Sequence, residues 1–322
     1  MIDEAPSPDG RLVLSRLGLG TAPLAGMYGE LGDDEAGSAL TAARASGLRH
    51  VDTAPLYGYG LAERRVGAAL AGVPRDEVVV STKVGRLVEP AEHRAVDELF
   101  AGAPPGRAVP DYSADGVRRS LDASLERLGL DRVDLLLVHD PDEHVDQALR
   151  ETFPALLRLR DEGVVTAVGA GMNAVAPLLR FVEEVDIDVV LVAGRLSLLD
   201  QEAAEALLPA AVRRGVGVIV GGVFNGGILA QPEALPMYDY RPAEDRIRER
   251  VGAIARTCER HGVPLRAAAL QAPLRYEGVT SVVVGARNGD EVHDAVAMLD
   301  VEVPDDLWAE LEHERLVAEA RP

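Results

Sequence analysis

Val133-Asp134-Leu135-Leu136-Leu137-Val138-His139 contains an apolar run that ends on an ionisable residue. A strand that is apolar at successive positions, not alternate ones, is buried on both faces, as in a parallel sheet covered by helices. Two earlier runs read the same way. His50-Val51-Asp52-Thr53-Ala54-Pro55-Leu56-Tyr57-Gly58 delivers a carboxylate and then a phenol, and Val78-Val79-Val80-Ser81-Thr82-Lys83 ends on a lysine. Ionisable groups at the ends of such strands either face a cleft or cost stability.

Similar runs recur along the whole chain. The expected strands are Leu17–Leu24, His50–Ala54, Val78–Gly85, Val133–Asp140, Val165–Gly171, Asp188–Gly194, Gly217–Gly222 and Ser281–Ala286, each followed by a helical pattern. In Ser113–Arg127, for example, Val117, Leu121, Ser124 and Leu125 lead to Leu128 at helical spacing. Repeated strand-helix units imply right-handed crossovers and a parallel sheet. Eight of them in 322 residues predict an α/β fold, one (β/α)₈ TIM barrel spanning 1–322, with its active site at the C-terminal rim. Two connections are too long for turns: Leu87–Asp111, with Phe100, and Asn225–Pro242, with Met237, Tyr238 and Tyr240. Both follow strands, so both are expected to project over the rim as substrate-covering loops.

Composition narrows the partners. A net charge of −20 disfavours nucleic acid and anionic membranes, because phosphate binding needs clustered Lys and Arg. The single Cys258 excludes an intramolecular disulfide framework and a thiolate metal cluster. No apolar run approaches membrane-spanning length and the N-terminus lacks a signal-peptide pattern, so a cytoplasmic protein is expected. A small-molecule substrate is the expected partner, and the oligomeric state is not readable.

In a barrel, Asp52, Lys83 and His139 stand at the tops of the second, third and fourth strands, with Tyr57 just beyond the second. Adjacent strands lie roughly 5 Å apart, so the four side chains can converge. A tyrosine has a reference pKa of about 10 and is a poor acid-base catalyst alone. A neighbouring ammonium stabilises its phenolate, and a carboxylate holds that ammonium charged. A neutral histidine can then donate to a substrate oxygen. Singly, Asp52 could cap, Tyr57 could pack, Lys83 could be solvated and His139 could be a satisfied core residue; together they point to an enzyme.

The strings Leu48-Arg49-His50-Val51-Asp52-Thr53-Ala54 with Tyr57-Gly58, Ser81-Thr82-Lys83-Val84-Gly85, and Leu137-Val138-His139 resemble the aldo-keto reductase superfamily. The likeness continues through Gly163-Val164-Val165-Thr166-Ala167-Val168-Gly169 and Val284-Gly285-Ala286-Arg287. It implies a barrel that binds a nicotinamide dinucleotide, NAD or NADP, without a Rossmann domain. It also implies Tyr57 as general acid/base, Lys83 and Asp52 as its tuning pair, and His139 as substrate orienter. Candidate cofactor contacts are Gly20, Thr21, Asn173, Phe224, Gly285 and Arg287.

Around the nicotinamide the sequence departs from the commoner reductase pattern. Met172-Asn173 stands where Ser-Asn is usual, Ala193 where Gln is usual, and Gly221 where a stacking Tyr is usual, with Phe224 nearby. The strings Ala193–Gln201 and Gly221–Leu229 resemble a branch containing D-threo-aldose (L-fucose) and L-galactose 1-dehydrogenases and a pyridoxal 4-dehydrogenase. That resemblance implies oxidation of a cyclic aldose hemiacetal or of pyridoxal to a lactone. An NADPH-dependent aldehyde or ketone reductase, and a cofactor-binding regulatory protein with little turnover, are the alternatives.

Gly285-Ala286-Arg287-Asn288 leads into a helix, which suits phosphate binding by backbone N–H groups. Arg287 could pair with a 2′-phosphate, but Asp290 and Glu291 would repel it, which favours NAD⁺. Gly18-Leu19-Gly20 is only a fragment of a dinucleotide fingerprint, without the third glycine or a following helix start. His139-Asp140-Pro141-Asp142-Glu143-His144 resembles a metal cluster in composition, yet Lys83 would repel a cation there, so no metal is expected.

Overall fold

The computed structural model describes residues 2–8, 10–27, 29–92, 99–239 and 241–318. Its barrel strands are β1 (Leu17–Gly20), β2 (His50–Asp52), β3 (Val79–Val84), β4 (Leu135–His139), β5 (Ala167–Met172), β6 (Val189–Ala193), β7 (Gly217–Gly221) and β8 (Val279–Gly285). Each pairs with its sequence neighbours in parallel, and β8 pairs with β1 to close the barrel.

Alternation within these strands explains why their sequences look uniformly apolar. Leu135 and Leu137 of β4 join Ala167, Val189, Leu191, Ile219 and Val283 in one interior cluster. Leu136 and Val138 of the same strand instead join the larger cluster between barrel and helices. Both faces are buried, so neither can be polar until the strand reaches the rim.

The helices sit where the periodicity puts them. Ala114–Leu128 is capped by Ser113, whose hydroxyl accepts from Gly116 N at 3.0 Å, and ends at Gly129 in the left-handed region. Helices Asp245–Arg260 and Asp305–His313 contribute to a separate cluster that includes Ile254 and Trp308. Among the described residues no helix is long and apolar enough to cross a membrane.

Several expectations need correction. The first run, read as far as Leu24, stops being a strand at Gly20; Pro23–Ala25 is a short 3₁₀ turn, because Pro23 fixes φ and has no N–H to extend a ladder. The last strand begins at Val279, two residues before the expected Ser281. An antiparallel hairpin, Glu4–Pro6 with Val13–Ser15, precedes the barrel and was not expected. Leu14 of its second strand and Leu12 just before that strand are buried within the interior cluster, so this hairpin plugs the barrel.

The connection Leu87–Asp111 is largely a second hairpin, Arg86–Pro90 with Gly106–Pro110. Its Phe100 is buried and bridges to Met27, while 93–98 lie outside the described residues. In the connection after β7, Met237–Tyr238 pairs with Arg241–Pro242, and Tyr240 lies outside the described residues.

Candidate active site

Strand register puts the four polar residues together. Asp52 ends β2 opposite Ser81 of β3, and Lys83, two residues on, shares the inward face of Ser81. His139 ends β4. Tyr57 arrives from a tight turn in which Gly58, Tyr59 and Gly60 have φ of +59°, +52° and +84°. At Gly58 a side chain is excluded twice, since a Cβ would also come within 2.8 Å of the Ala25 Cβ.

Lys83 is 1% exposed, and its three N–H donors are all spent. Its Nζ donates to Asp52 Oδ2 at 2.7 Å, to the Thr53 carbonyl at 2.9 Å and to the Tyr57 hydroxyl at 3.1 Å. Burial alone would favour the neutral amine; the Asp52 carboxylate and the Tyr57 phenol outweigh it and hold the ammonium above its ordinary pKa. The other Asp52 oxygen, Oδ1, accepts from Ser81 Oγ at 2.7 Å. Beneath Ser81 lies His50, fully buried, with Nε2 at 2.9 Å from that hydroxyl. Burial pushes His50 down to about 4 against the pull of Asp52, so it is neutral near pH 7.

His139 is also neutral near pH 7. Burial and then the charges of Lys83 and Arg86 hold it well below its ordinary value. Its ring meets that of Tyr57 edge-on, with centroids 5.8 Å apart, and its buried Nδ1 has no hydrogen-bond partner among the described residues. A neutral imidazole and a phenol in contact with an ammonium therefore share the same mouth. Such a pair can bind an oxygen and move a proton to or from it.

Next to Lys83 the rim of β5–β7 carries almost no side chains. A Cβ on Gly171 would sit 3.4 Å from Lys83 Cε, and Ala193 and Gly221 end β6 and β7. Asn173 is half-buried just past β5. Asn225 donates its Nδ2 to the Gly194 carbonyl at 3.3 Å, while its buried Oδ1 has no partner among the described residues. This side-chain-free floor with an unmet acceptor fits a flat ring bearing a carboxamide. Asn225 was missed in the sequence because nothing in its string announces burial.

The other expected contacts lie on the same rim with varied environments. Gly20 pairs with Gly285, where a Cβ would come within 2.6 Å of Pro23. Thr21 is fully buried, and its hydroxyl donates to the Asp52 carbonyl at 3.0 Å, tying β1 to β2. Phe224 is half-buried against both the barrel-helix cluster and the Trp308 cluster. Arg287 N donates to Glu291 Oε2 at 2.9 Å, and its guanidinium reaches the Glu30 carbonyl at 3.1 Å. Asn288 caps the helix Gly289–Leu299, accepting from Glu291 N at 3.0 Å.

Residues 16–314 match the profile of the Aldo/keto reductase family. The chain is 44% identical over 314 residues to a D-threo-aldose 1-dehydrogenase from a Pseudomonas species, covering 95% of each. It is 39% identical over 331 residues to a pyridoxal 4-dehydrogenase from Microbacterium luteolum, covering 95% of this chain and 96% of that one. The solved structure of an aldo-keto reductase from Bacillus halodurans in its holo form superposes with a TM-score of 0.76 at 23% identity, covering 100% of this chain and 98% of that one.

Proposed function

The chain belongs to the aldo/keto reductase family, and we propose that it is an NAD⁺-linked dehydrogenase that oxidises the hemiacetal carbon of a cyclic aldose, or of a pyridoxal-type substrate, to a lactone. One observation carries this reading: the ammonium of Lys83, saturated by Asp52, Thr53 and the Tyr57 hydroxyl, beside a neutral His139. A nicotinamide dinucleotide, when bound, supplies hydride transfer. Asn173 and Asn225 would hold its carboxamide over the floor of Gly171, Ala193 and Gly221, with Phe224 at the edge. Gly20, Thr21, Gly285 and Arg287 would line its path along the rim.

The chain's own work is proton handling and positioning. His139, as the neutral imidazole, donates to the substrate oxygen and orients it. Tyr57 takes the hydroxyl proton as the C–O bond gains double-bond character. Lys83 stabilises the phenolate that accepts that proton, and Asp52, steadied by Ser81, keeps Lys83 charged and in place.

NAD⁺ is favoured over NADP⁺ by the charge around Arg287. Its backbone is engaged by Glu291, and Asp290, Glu30 and Glu35 raise the negative potential where a 2′-phosphate would bind. We infer a cytoplasmic setting, which the lone buried Cys258 supports. The test is a spectrophotometric panel of NAD⁺ and NADP⁺ against L-fucose, L-galactose, D-arabinose and pyridoxal. The expected outcome is faster NAD⁺-linked oxidation of at least one hemiacetal than NADPH-linked reduction of simple aldehydes. Rapid NADPH-linked reduction of aromatic aldehydes with no oxidation of any hemiacetal would make the protein a general reductase.

A further inference from the structure

Asp140 follows His139 at the mouth of the site and presents a carboxylate to which, among the described residues, no group donates a hydrogen bond. Its backbone is pinned at three points. Its N–H donates to the Gly171 carbonyl at 3.2 Å, and its own carbonyl accepts from Arg86 Nη2 at 3.0 Å and from the Tyr112 hydroxyl at 2.8 Å. These bonds hold it at φ +41°, a left-handed conformation that a residue with a Cβ adopts at some cost.

The side chain is held much less. Asp140 Oδ2 lies 3.6 Å from His139 Nε2 and 3.9 Å from the Arg86 guanidinium, both longer than a hydrogen bond. Among the described residues no group donates to this carboxylate, although the side chain is only 27% exposed. It caps no helix either, since the next one starts at Val145. A partly buried carboxylate with no hydrogen-bond donor from the protein is open to a donor supplied by a ligand. Burial indeed raises its pKa, against the opposing pull of Arg86.

The location says which ligand group that is. Tyr57 and His139 define where the reacting oxygen sits, and Asp140 Oδ2 is beside His139 Nε2. On a sugar ring, neighbouring hydroxyl oxygens lie about one hydrogen-bond length apart. We propose that Asp140 is a specificity-determining residue that accepts a hydrogen bond from the hydroxyl on the carbon adjacent to the one oxidised. The preferred substrates are then aldoses that carry a 2-hydroxyl. Pyridoxal carries its nearest further hydroxyl one carbon more distant and fits less well. This inference rests on the aldose reading above and narrows it.

D-Arabinose and 2-deoxy-D-ribose test it, because the second is the first without its 2-hydroxyl. A hydrogen bond to a charged group corresponds to about ten- to a hundred-fold in kcat/KM, and the wild-type protein should prefer D-arabinose by that factor. In Asp140→Ala the ratio should fall to within about three-fold, with the loss confined to D-arabinose. Asp140→Asn, which tolerates the left-handed backbone and keeps a neutral acceptor, should lower the ratio by about three- to ten-fold if the alanine variant folds poorly. Calorimetric NAD⁺ affinity should stay at the wild-type value in the variants, and Asp142→Asn should keep the wild-type ratio. Equal loss on both sugars, an unchanged ratio in the Asp140 variants, or a wild-type protein indifferent to the 2-hydroxyl would overturn the assignment and leave the aldose reading standing. Failure of the wild-type protein to oxidise D-arabinose while it oxidises another hemiacetal of the panel would overturn the assignment alone; failure on every hemiacetal would overturn both.

Discussion

Thr82 and Lys83 are neighbours on β3, and their side chains leave the strand on opposite faces, each toward a buried ion pair. Outward, Thr82 Oγ1 donates to Glu63 Oε1 at 2.7 Å, and Arg127 Nε donates to Glu63 Oε2 at 2.6 Å. Glu63 is fully buried, and Arg127 reaches Ser124 Oγ as well, at 3.2 Å. That pair joins helix Leu61–Leu70 to β3 and to helix Ala114–Leu128, and its bonds end on protein atoms. Inward, Lys83 pairs with Asp52 but spends its third donor on Tyr57, whose hydroxyl stands in the mouth. Both pairs carry the cost of removing charge from water, which an ion pair offsets only in part. The outer one contributes to fixing the helix layer. The inner one, in the mechanism proposed above, poises a proton.

The contrast predicts separate consequences on the two faces, and the largest belongs to the inner one. Tyr57→Phe should lower kcat by about two to four orders of magnitude, the usual contribution of a positioned acid/base, while NAD⁺ affinity is retained. Steady-state kinetics beside a binding titration would show this; near-normal turnover would remove Tyr57 from the mechanism. Lys83→Met should cost a comparable factor in kcat, because the phenolate loses its counter-charge. It should also lower thermal stability, since Asp52 is left as a buried carboxylate without its ammonium.

On the outer face Glu63→Gln should do the reverse. Leaving Arg127 without its carboxylate should cost about 3–5 kcal/mol in denaturant unfolding, while kcat per folded molecule stays within about two-fold. A large loss of kcat with unchanged stability would erase the distinction between the pairs.

A smaller effect comes from His50, beneath both. Its folded pKa, about 4, lies below its unfolded value of 6.5, so the unfolded chain binds the extra proton between those values. Its contribution is therefore fully present above pH 6.5 and is lost as pH falls toward 4, by about 3 kcal/mol in all. His139, lowered in the same direction, adds to the decline. Unfolding free energies measured from pH 7 to 4 should fall less steeply in His50→Asn than in the wild-type chain.

Legibility in the sequence followed this same division. The inner group was readable because each member ends an apolar strand or follows one closely, where a charge has no structural excuse. Glu63 and Arg127 were not, since they sit in amphipathic helices where charges usually face water; only the docking of two helices on β3 buries them. The N-terminal hairpin escaped because strands of three residues show no periodicity, and Arg86–Pro90 with Gly106–Pro110 was hidden by the Pro, Gly and Ala between. Asp140 was seen only as part of a metal-like string, because the lack of a donor to its carboxylate among the described residues is a property of three-dimensional neighbours.

The central claim is that Lys83 and Tyr57 act as one unit, and a double-variant cycle tests it most directly. The measurement is kcat for NAD⁺-linked hemiacetal oxidation in Tyr57→Phe, Lys83→Met and the variant carrying both changes. If the ammonium acts through the phenol, the double variant should be no slower than the worse single variant, within about three-fold. Losses that multiply in the double variant would mean that Lys83 serves the reaction independently of Tyr57, contradicting the account.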